Sequence, residues 1–439
     1  MGHASHCQIF TIKYSTRMKK HQDHVGLMRA MFDAAVKAAL PIHNLPHFIP
    51  EPPKGRTIVV GAGKAAGSMA QVFEKSFKGK FIGLVVTRYG HSVACKKIEV
   101  LEAAHPIPDE AGEKAAARIL ELVSGLNKDD LVVVLLSGGG SSLLSLPAKD
   151  ISLTDKKEVN RALLKSGATI DEINCVRKHI SRIKGGRLAA AAFPAKILSI
   201  WISDIPGDDL AMVASGPTMP DLTTFEDARS IVKKYNIQLP ESVRKHLREA
   251  LDETPKPNSL IFENHVGYGI ASPQISLEAA AEIAKKNGYT PIILGDAIEG
   301  EARELGIVMA GIAMQARRLG QPVRPPCAII SGGETTVTVK GNGVGGRNVE
   351  FLLSLAIKLN GAENIYALAG DTDGVDGARE VAGAYITPDT LAVARNLSVD
   401  PWTSLSNNDA HSFFAATQSQ IITGPTLTNV NDFRVILVE

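Results

Sequence analysis

Leu131-Val132-Val133-Val134-Leu135-Leu136-Ser137-Gly138-Gly139-Gly140-Ser141-Ser142 is an apolar run that ends in glycines and hydroxyls. The run reads as a buried strand, and the glycines after it let several backbone N–H groups turn toward one point, which suits an anion. A second apolar run, Ala328-Ile329-Ile330, enters Ser331-Gly332-Gly333-Glu334-Thr335-Thr336 in the same way. Gly and Ser also make ordinary strand-to-helix turns, so the neighbouring sequence has to decide. Two such loops in one chain predict a phosphorylated ligand and an acidic one, meeting between two lobes.

Outward from the first run, strands are expected at 57–60, 81–87, 98–102 and 196–202, separated by helices at 64–77, 109–126, 155–166 and 173–192. Such alternation implies a parallel sheet with helices on both faces. Helical periodicity over 25–40 precedes it. Thr254-Pro255-Lys256-Pro257-Asn258 is the best linker in the middle of the chain and puts a boundary near residue 255, giving domains at 25–255 and 256–439. The second domain should hold a polar strand region at 259–270, helices at 276–287, 300–319 and 348–359, and strands at 291–294, 328–331, 335–340, 365–369 and 433–438. Residues 1–17 read poorly as structure and are expected to be an unstructured extension, which makes His3, His6, His21 and His24 incidental.

At 439 residues the chain exceeds the size at which a single core stops growing. Hydrophobic content of 44% with 21% charged residues marks a globular protein, and a net charge of +2 supplies no basic excess for nucleic acid or an anionic membrane. Small molecules are the expected partners. The cysteines Cys7, Cys95, Cys175 and Cys327 are widely spaced with no zinc pattern, and no apolar stretch suggests a membrane span, so a cytoplasmic setting is expected.

Ile58-Val59-Val60-Gly61-Ala62-Gly63-Lys64-Ala65-Ala66 fits Gly-x-Gly-x-x-Ala between a strand and a helix, a dinucleotide pattern. The acidic residue that grips a ribose is missing, because the second strand ends in Val86-Thr87-Arg88. Lys64 stands in the turn, where a cation would meet a transferring phosphoryl group. Gly341-Asn342-Gly343-Val344-Gly345-Gly346-Arg347-Asn348 comes close to a phosphate loop but puts Arg347 and Asn348 where lysine and a magnesium-binding hydroxyl belong. It can still set backbone donors and a guanidinium against a polyphosphate. Asp371-Thr372-Asp373-Gly374-Val375-Asp376-Gly377 fails as a calcium hand at Val375 and Ala382, and suits magnesium shared with phosphate oxygens better. Arg177, Ser181 and Lys184 share a helical face beside Lys178 and Arg182, either solvated surface or a guide for anions. Ser203-Asp204-Ile205-Pro206-Gly207-Asp208-Asp209, Ala214-Ser215-Gly216-Pro217-Thr218 and His105-Pro106-Ile107-Pro108-Asp109 each follow a strand, where open α/β sheets bind ligands.

From about residue 25 onward the chain resembles the class II glycerate 2-kinases with their C-terminal MOFRL region, here about 325–435. The resemblance is carried by Gly61-Ala62-Gly63-Lys64-Ala65, His105-Pro106-Ile107-Pro108-Asp109, the Ser137–Ser142 loop, Lys184-Gly185-Gly186-Arg187, Ser203-Asp204-Ile205-Pro206-Gly207-Asp208 and Ser215-Gly216-Pro217-Thr218. In the second half it rests on Ser331-Gly332-Gly333-Glu334-Thr335, Gly345-Gly346-Arg347-Asn348, Gly370-Asp371-Thr372-Asp373-Gly374 and Thr423-Gly424-Pro425-Thr426-Leu427-Thr428-Asn429-Val430-Asn431-Asp432.

This resemblance implies two α/β domains, the first a Rossmann-like doubly wound parallel sheet, with the active site in the interdomain cleft. It implies that ATP with Mg2+ phosphorylates the 2-hydroxyl of D-glycerate, with Lys64 and Arg347 as the catalytic cations. Gly61, Gly63, the residues Ser137, Gly138, Gly139, Gly140, Ser141 and Ser142, and the second set Ser331, Gly332, Gly333, Glu334, Gly345, Gly346 and Asn348 are then expected around substrate and phosphates. Asp204, Asp208 and Asp371 are the candidate magnesium ligands, and a homodimer is left open. Asn408-Asp409-Ala410-His411 departs from the family's Asn-Asp-Ser-Tyr and puts a hydroxyl contact there in doubt. The rival reading, an NADP-dependent hydroxypyruvate reductase, rests on Gly61, Gly63, Ala66 and Arg88, and leaves the second loop and the Asp371 loop without a use.

Overall fold

Why the first apolar runs are continuous rather than alternating is clear from the computed structural model, which describes residues 4–205, 212–377 and 379–439, with side chains from residue 21. Strands β1 (Thr57–Ala62), β2 (Ile82–Arg88), β3 (Ile98–Ala103), β4 (Leu131–Leu136), β5 (Lys196–Ile202) and β6 (His265–Ala271) form one sheet in the order β3-β2-β1-β4-β5-β6. Every neighbouring pair is parallel. Ile58, Val60, Val132, Val134 and Leu136 enter one buried cluster, while Val59, Leu131, Val133 and Leu135 enter another on the opposite face. A sheet covered on both sides needs apolar residues at every position. Strand order reverses between β1 and β4, which puts the crevice beyond their carboxyl ends.

The polar-looking segment expected to open the second domain belongs to this sheet as β6. Gly267 makes that possible, since a Cβ there would lie 2.1 Å from Cη2 of the Trp201 indole. The chain accordingly divides as Ala39–Ser272 with Leu427–Val430 in one unit, and the remainder through Ala38, Pro273–Thr426 and Asn431–Glu439 in the other, rather than at residue 255. The basic helix expected over 173–192 is two helices, Ile170–His179 and Arg187–Ala192. Gly185 and Gly186 interrupt it at φ 57° and 80°, and their N–H groups donate to the Ser215 and Gly216 carbonyls.

In the other unit, β7 (Thr290–Ile293), β9 (Cys327–Ser331), β11 (Ile365–Asp371), β12 (Gly383–Ile386), β13 (Gln420–Ile421) and β14 (Asp432–Val438) form a sheet in the order β13-β12-β11-β14-β9-β7. Only β7 and β9 pair in parallel. The strand expected over 335–340 is only β10 (Thr335–Thr336), pairing with β8 (Gly300–Glu301). An N-terminal helix, Ala4–Ala38, includes the stretch expected to be unstructured. No Pro or Gly interrupts residues 4–25, so nothing in the sequence stops that helix. Its Met28, Met31, Phe32 and Ala35 are fully buried with Leu277, Ile330 and Leu368. His21 is not incidental: it bonds the Tyr366 hydroxyl at 3.1 Å and Asp389 at 3.0 Å. His24 stacks on Tyr366 and pairs with Glu439 at 2.7 Å. His3 and His6 lie outside the described side chains.

Candidate active site

In the 39–272 unit, β1 and β4 deliver the Gly61–Lys64 turn and the Ser137–Ser142 loop side by side. The two are zipped together: the Lys64 N–H donates to the Gly138 carbonyl at 2.8 Å and the Ser137 N–H to the Ala62 carbonyl at 3.1 Å. The Ala65 N–H donates to Ser137 Oγ at 3.0 Å. Gly61 and Gly63 are there for that contact. A Cβ on either would lie 2.1 Å from Leu135 O or Ser137 Oγ respectively. Ser137 is buried for the same reason, and its hydroxyl is spent on the neighbouring turn. The donors that a dinucleotide pyrophosphate would take at this turn are therefore used within the fold.

Further along the loop the surroundings open. The N–H groups of Gly138 and Gly139 make no hydrogen bond among the described residues. A Cβ on Gly138 would fall 1.9 Å from Asp204 Oδ2 and 2.2 Å from Asn429 Nδ2, so only glycine lets these two side chains lie against the loop. Asn429 Nδ2 donates to Asp204 Oδ2 at 3.0 Å. Gly140 packs on Ala214, and Ser141 bonds Ser215, which in turn donates to Asn174 Oδ1 at 3.0 Å. Ser142 Oγ donates back to the Gly139 carbonyl at 3.1 Å. Asp204 is thus the described carboxylate at this loop, an oxygen donor of the kind a hard cation takes. Asp208 lies outside the described residues.

In the other unit the sequence-selected residues form a charged cluster around Arg347. Its Nη2 donates to Asp371 Oδ2 at 2.6 Å and its Nε to Asp432 Oδ1 at 2.7 Å, while Nη1 lies 3.6 Å from the half-exposed Glu334. Burial alone would lower the Arg347 pKa, but Asp432, Asp371 and Glu334 outweigh it and hold the pKa well above the ordinary value. Burial would raise Asp432, yet Arg347 and Arg434 keep it below the usual carboxylate range.

Several expectations change here. Asp371 anchors the guanidinium: Oδ2 takes Arg347 and Oδ1 takes the Asp373 N–H at 3.0 Å. No group of three or more His, Cys, Asp or Glu suited to a metal occurs among the described residues. The first part of the Gly341–Arg347 loop is tied to residues 407–409. The Lys340 and Gly341 N–H groups donate to Asn408 Oδ1, that of Asn342 to Asn407 Oδ1 and that of Val344 to Asp409 Oδ1.

The helix Arg347–Leu359 already has its anion: Asp376, fully buried, accepts from the Asn348 and Val349 N–H groups at 3.1 and 3.0 Å. Burial pushes the Asp376 pKa up, with Arg347 opposing. Gly346 is required beside it, since a Cβ would lie 2.4 Å from the carboxylate carbon. Gly345 backs onto the Asn408 carbonyl. Asn348 is buried and donates to Asp432 Oδ1 at 2.7 Å, so it braces the cluster. In the Ser331 loop, Ser331 is buried, the Gly332 N–H donates to Gly295, its carbonyl accepts from Arg434, and Gly333 presses on Ile298.

A domain of unknown function, DUF4147, matches residues 27–248, and the MOFRL family matches residues 327–432. A D-glycerate 2-kinase of Thermotoga maritima is 44% identical over 408 residues, 92% of this chain and 94% of its own. The chain belongs to the class II glycerate kinase family. The crystal structure of a glycerate kinase from Thermotoga maritima matches this glycerate kinase fold with a TM-score of 0.84 at 40% identity, covering 95% of this chain and 100% of that one. An Agrobacterium vitis relative with a provisional hydroxypyruvate reductase name is 53% identical over 94% of both chains.

Sequence reasoning missed Asp376, Asp432 and Arg434 as the frame of the Arg347 cluster and Asn429 as the partner of Asp204, although Asn429 and Asp432 stood in a quoted family segment. At the departure from the family's Asn-Asp-Ser-Tyr, the His411 ring Nε2–H donates to the Asp376 carbonyl at 2.8 Å. An imidazole donor thus supports the Asp376 turn at that position.

Proposed function

We propose that this chain transfers the γ-phosphoryl group of ATP to the 2-hydroxyl of D-glycerate, giving 2-phosphoglycerate and ADP. The observation that carries this reading is identity of 44% to a D-glycerate 2-kinase along nearly all of both chains. Phosphoryl transfer asks a protein for positioning and charge neutralisation more than for covalent chemistry. Lys64, on the turn locked to the Ser137 loop, and Arg347, aligned by Asp371 and Asp432, are the cations assigned to the developing charge. The Gly138 and Gly139 N–H groups supply donors for a substrate oxyanion. Magnesium would neutralise nucleotide oxygens, with Asp204 as the described carboxylate suited to it. Cys95, Cys175 and Cys327 are free thiols, which suits a reducing cytoplasm.

Incubation with ATP, magnesium and D-glycerate, coupled through enolase without a mutase, should register 2-phosphoglycerate. Lys64→Ala and Arg347→Ala should each lower kcat by about a hundred-fold or more, with melting curves little changed for Lys64→Ala. Near-normal turnover in either would remove that residue from the mechanism. The provisional reductase name of the Agrobacterium vitis relative motivates the parallel assay, NADPH consumption with hydroxypyruvate. It should be silent, because the turn that would hold the cofactor's pyrophosphate has its N–H groups bonded to Gly138 and Ser137.

A further inference from the structure

One cavity in the 39–272 unit stands apart by its charge. It holds about 370 Å³, and its lining includes His105–Pro108, Leu164, Lys156, Arg177 and Lys184. Gly139, Ser141 and Ser142 also line it, Lys157 and Arg161 add two more cations, and no described carboxylate lines it.

Lys156 and Lys184 are each only 1% exposed. Their ammonium groups reach main-chain carbonyls alone, Leu146 O at 3.4 Å and Ala214 O at 3.2 Å, and Arg177 Nε donates to Asn160 Oδ1 at 3.2 Å. Neighbouring cations on the same stretch of chain are treated differently. Lys178 pairs with Asp221 at 3.2 Å, His179 with Glu253 at 2.9 Å and Arg187 with Asp252. Burying like charges without paired counter-ions is costly, and it shows: burial, with Arg177 adding to it and the more distant Glu113 opposing, pushes Lys156 down to about 7, and Lys184 lies well below its ordinary value. A fold that provides carboxylates for three cations and turns three others into one cavity leaves room for an anion from outside.

The charge count and the size narrow the anion. A three-carbon acid carries one negative charge and would leave most of the cavity empty, whereas a polyphosphate matches several cations at once, and the volume falls in the range of sites for larger ligands. Ile107 and Leu164, 62% and 64% exposed, give the mouth an apolar wall. Where Gly139 lines the cavity, a Cβ on it would lie 3.4 Å from Lys64 Cγ and 3.0 Å from His105 Nε2, so the cavity abuts Lys64.

We propose that this pocket binds the nucleotide, with its phosphates on Lys156, Arg177 and Lys184, its apolar body against Ile107 and Leu164, and its terminal phosphoryl group directed past Gly139 to Lys64. The assignment rests on the kinase reading and extends it. The test uses the full chain in buffer free of phosphate and sulfate, with Lys156→Met, Lys184→Met and the partly exposed Arg177→Gln, which keeps the test open if a methionine variant does not fold. Calorimetry with inorganic tripolyphosphate and with ADP should show both binding to the parent. Each folded variant should weaken both by about ten-fold or more and raise KM for ATP alike, with KM for D-glycerate moving less than about two-fold. Leu164→Ser should weaken ADP and leave tripolyphosphate unchanged. Unaltered ADP affinity and KM for ATP in folded variants would overturn the assignment, as would a rise confined to KM for D-glycerate. If the parent binds tripolyphosphate and ADP through these residues yet makes no 2-phosphoglycerate, the pocket stands and the kinase reading falls.

Discussion

Lys156 shows what a single side chain can cost. It lies on the core face of the helix Leu153–Lys165, with Val159 and Leu163, where an apolar residue would be expected. Its pKa of about 7 in the fold lies below the ordinary lysine value, so the folded state releases this proton before the unfolded chain does. The penalty is therefore full below about pH 7, shrinks as pH rises, and vanishes near the unfolded value of about 10.4. Lys156→Met should stabilise the protein in anion-free buffer by ~3 kcal/mol below pH 7, with the gain fading toward pH 10; denaturant unfolding across that range checks the sign. Gly63 gives the opposite case: at φ 139° and 2.1 Å from Ser137 Oγ, Gly63→Ala should cost about 2 kcal/mol or more, read as a lower urea midpoint. Lys64 could be read from sequence because its turn is local. The emptiness around Lys156 could not, since it depends on where carboxylates distant in the chain fall.

Helices and strands were legible where their signals are local and strong. The continuous apolar runs that became β1, β4 and β5, and the helix Ala302–Leu319, lie within a residue or two of where the sequence puts them. Legibility failed where a long-range partner decides. β6 is half exposed and polar because it is an edge strand, so its pattern alone did not assign it to the first sheet. The helix Arg347–Leu359 starts where expected, but its N-terminal donors are taken by Asp376 rather than by a ligand, and nothing near Arg347 announces that. Asp376→Ala should lower stability by about 2–3 kcal/mol by freeing two buried N–H groups. It should also reduce kcat through misalignment of Arg347; Asp376→Asn, which keeps one acceptor, should recover part of both in thermal melts and turnover.

At the scale of the molecule, the chain is not two consecutive domains but two units whose parts alternate along the sequence. A fragment limited to the MOFRL match, 327–432, lacks the helix that buries Met28, Met31 and Phe32, side chains worth about 2 kcal/mol each, and it also lacks most of β14. It should fail to give a cooperative melt, and circular dichroism with and without the helix and β14 restored checks this. β14 lies between β11 and β9 in the middle of its sheet, although it is the last strand in the described chain. Without β14 that sheet would part into β9 with β7 on one side and β11 with β12 and β13 on the other, each with a bare edge. A variant whose β14 cannot pair would present two open strand borders, each a template for association with another chain.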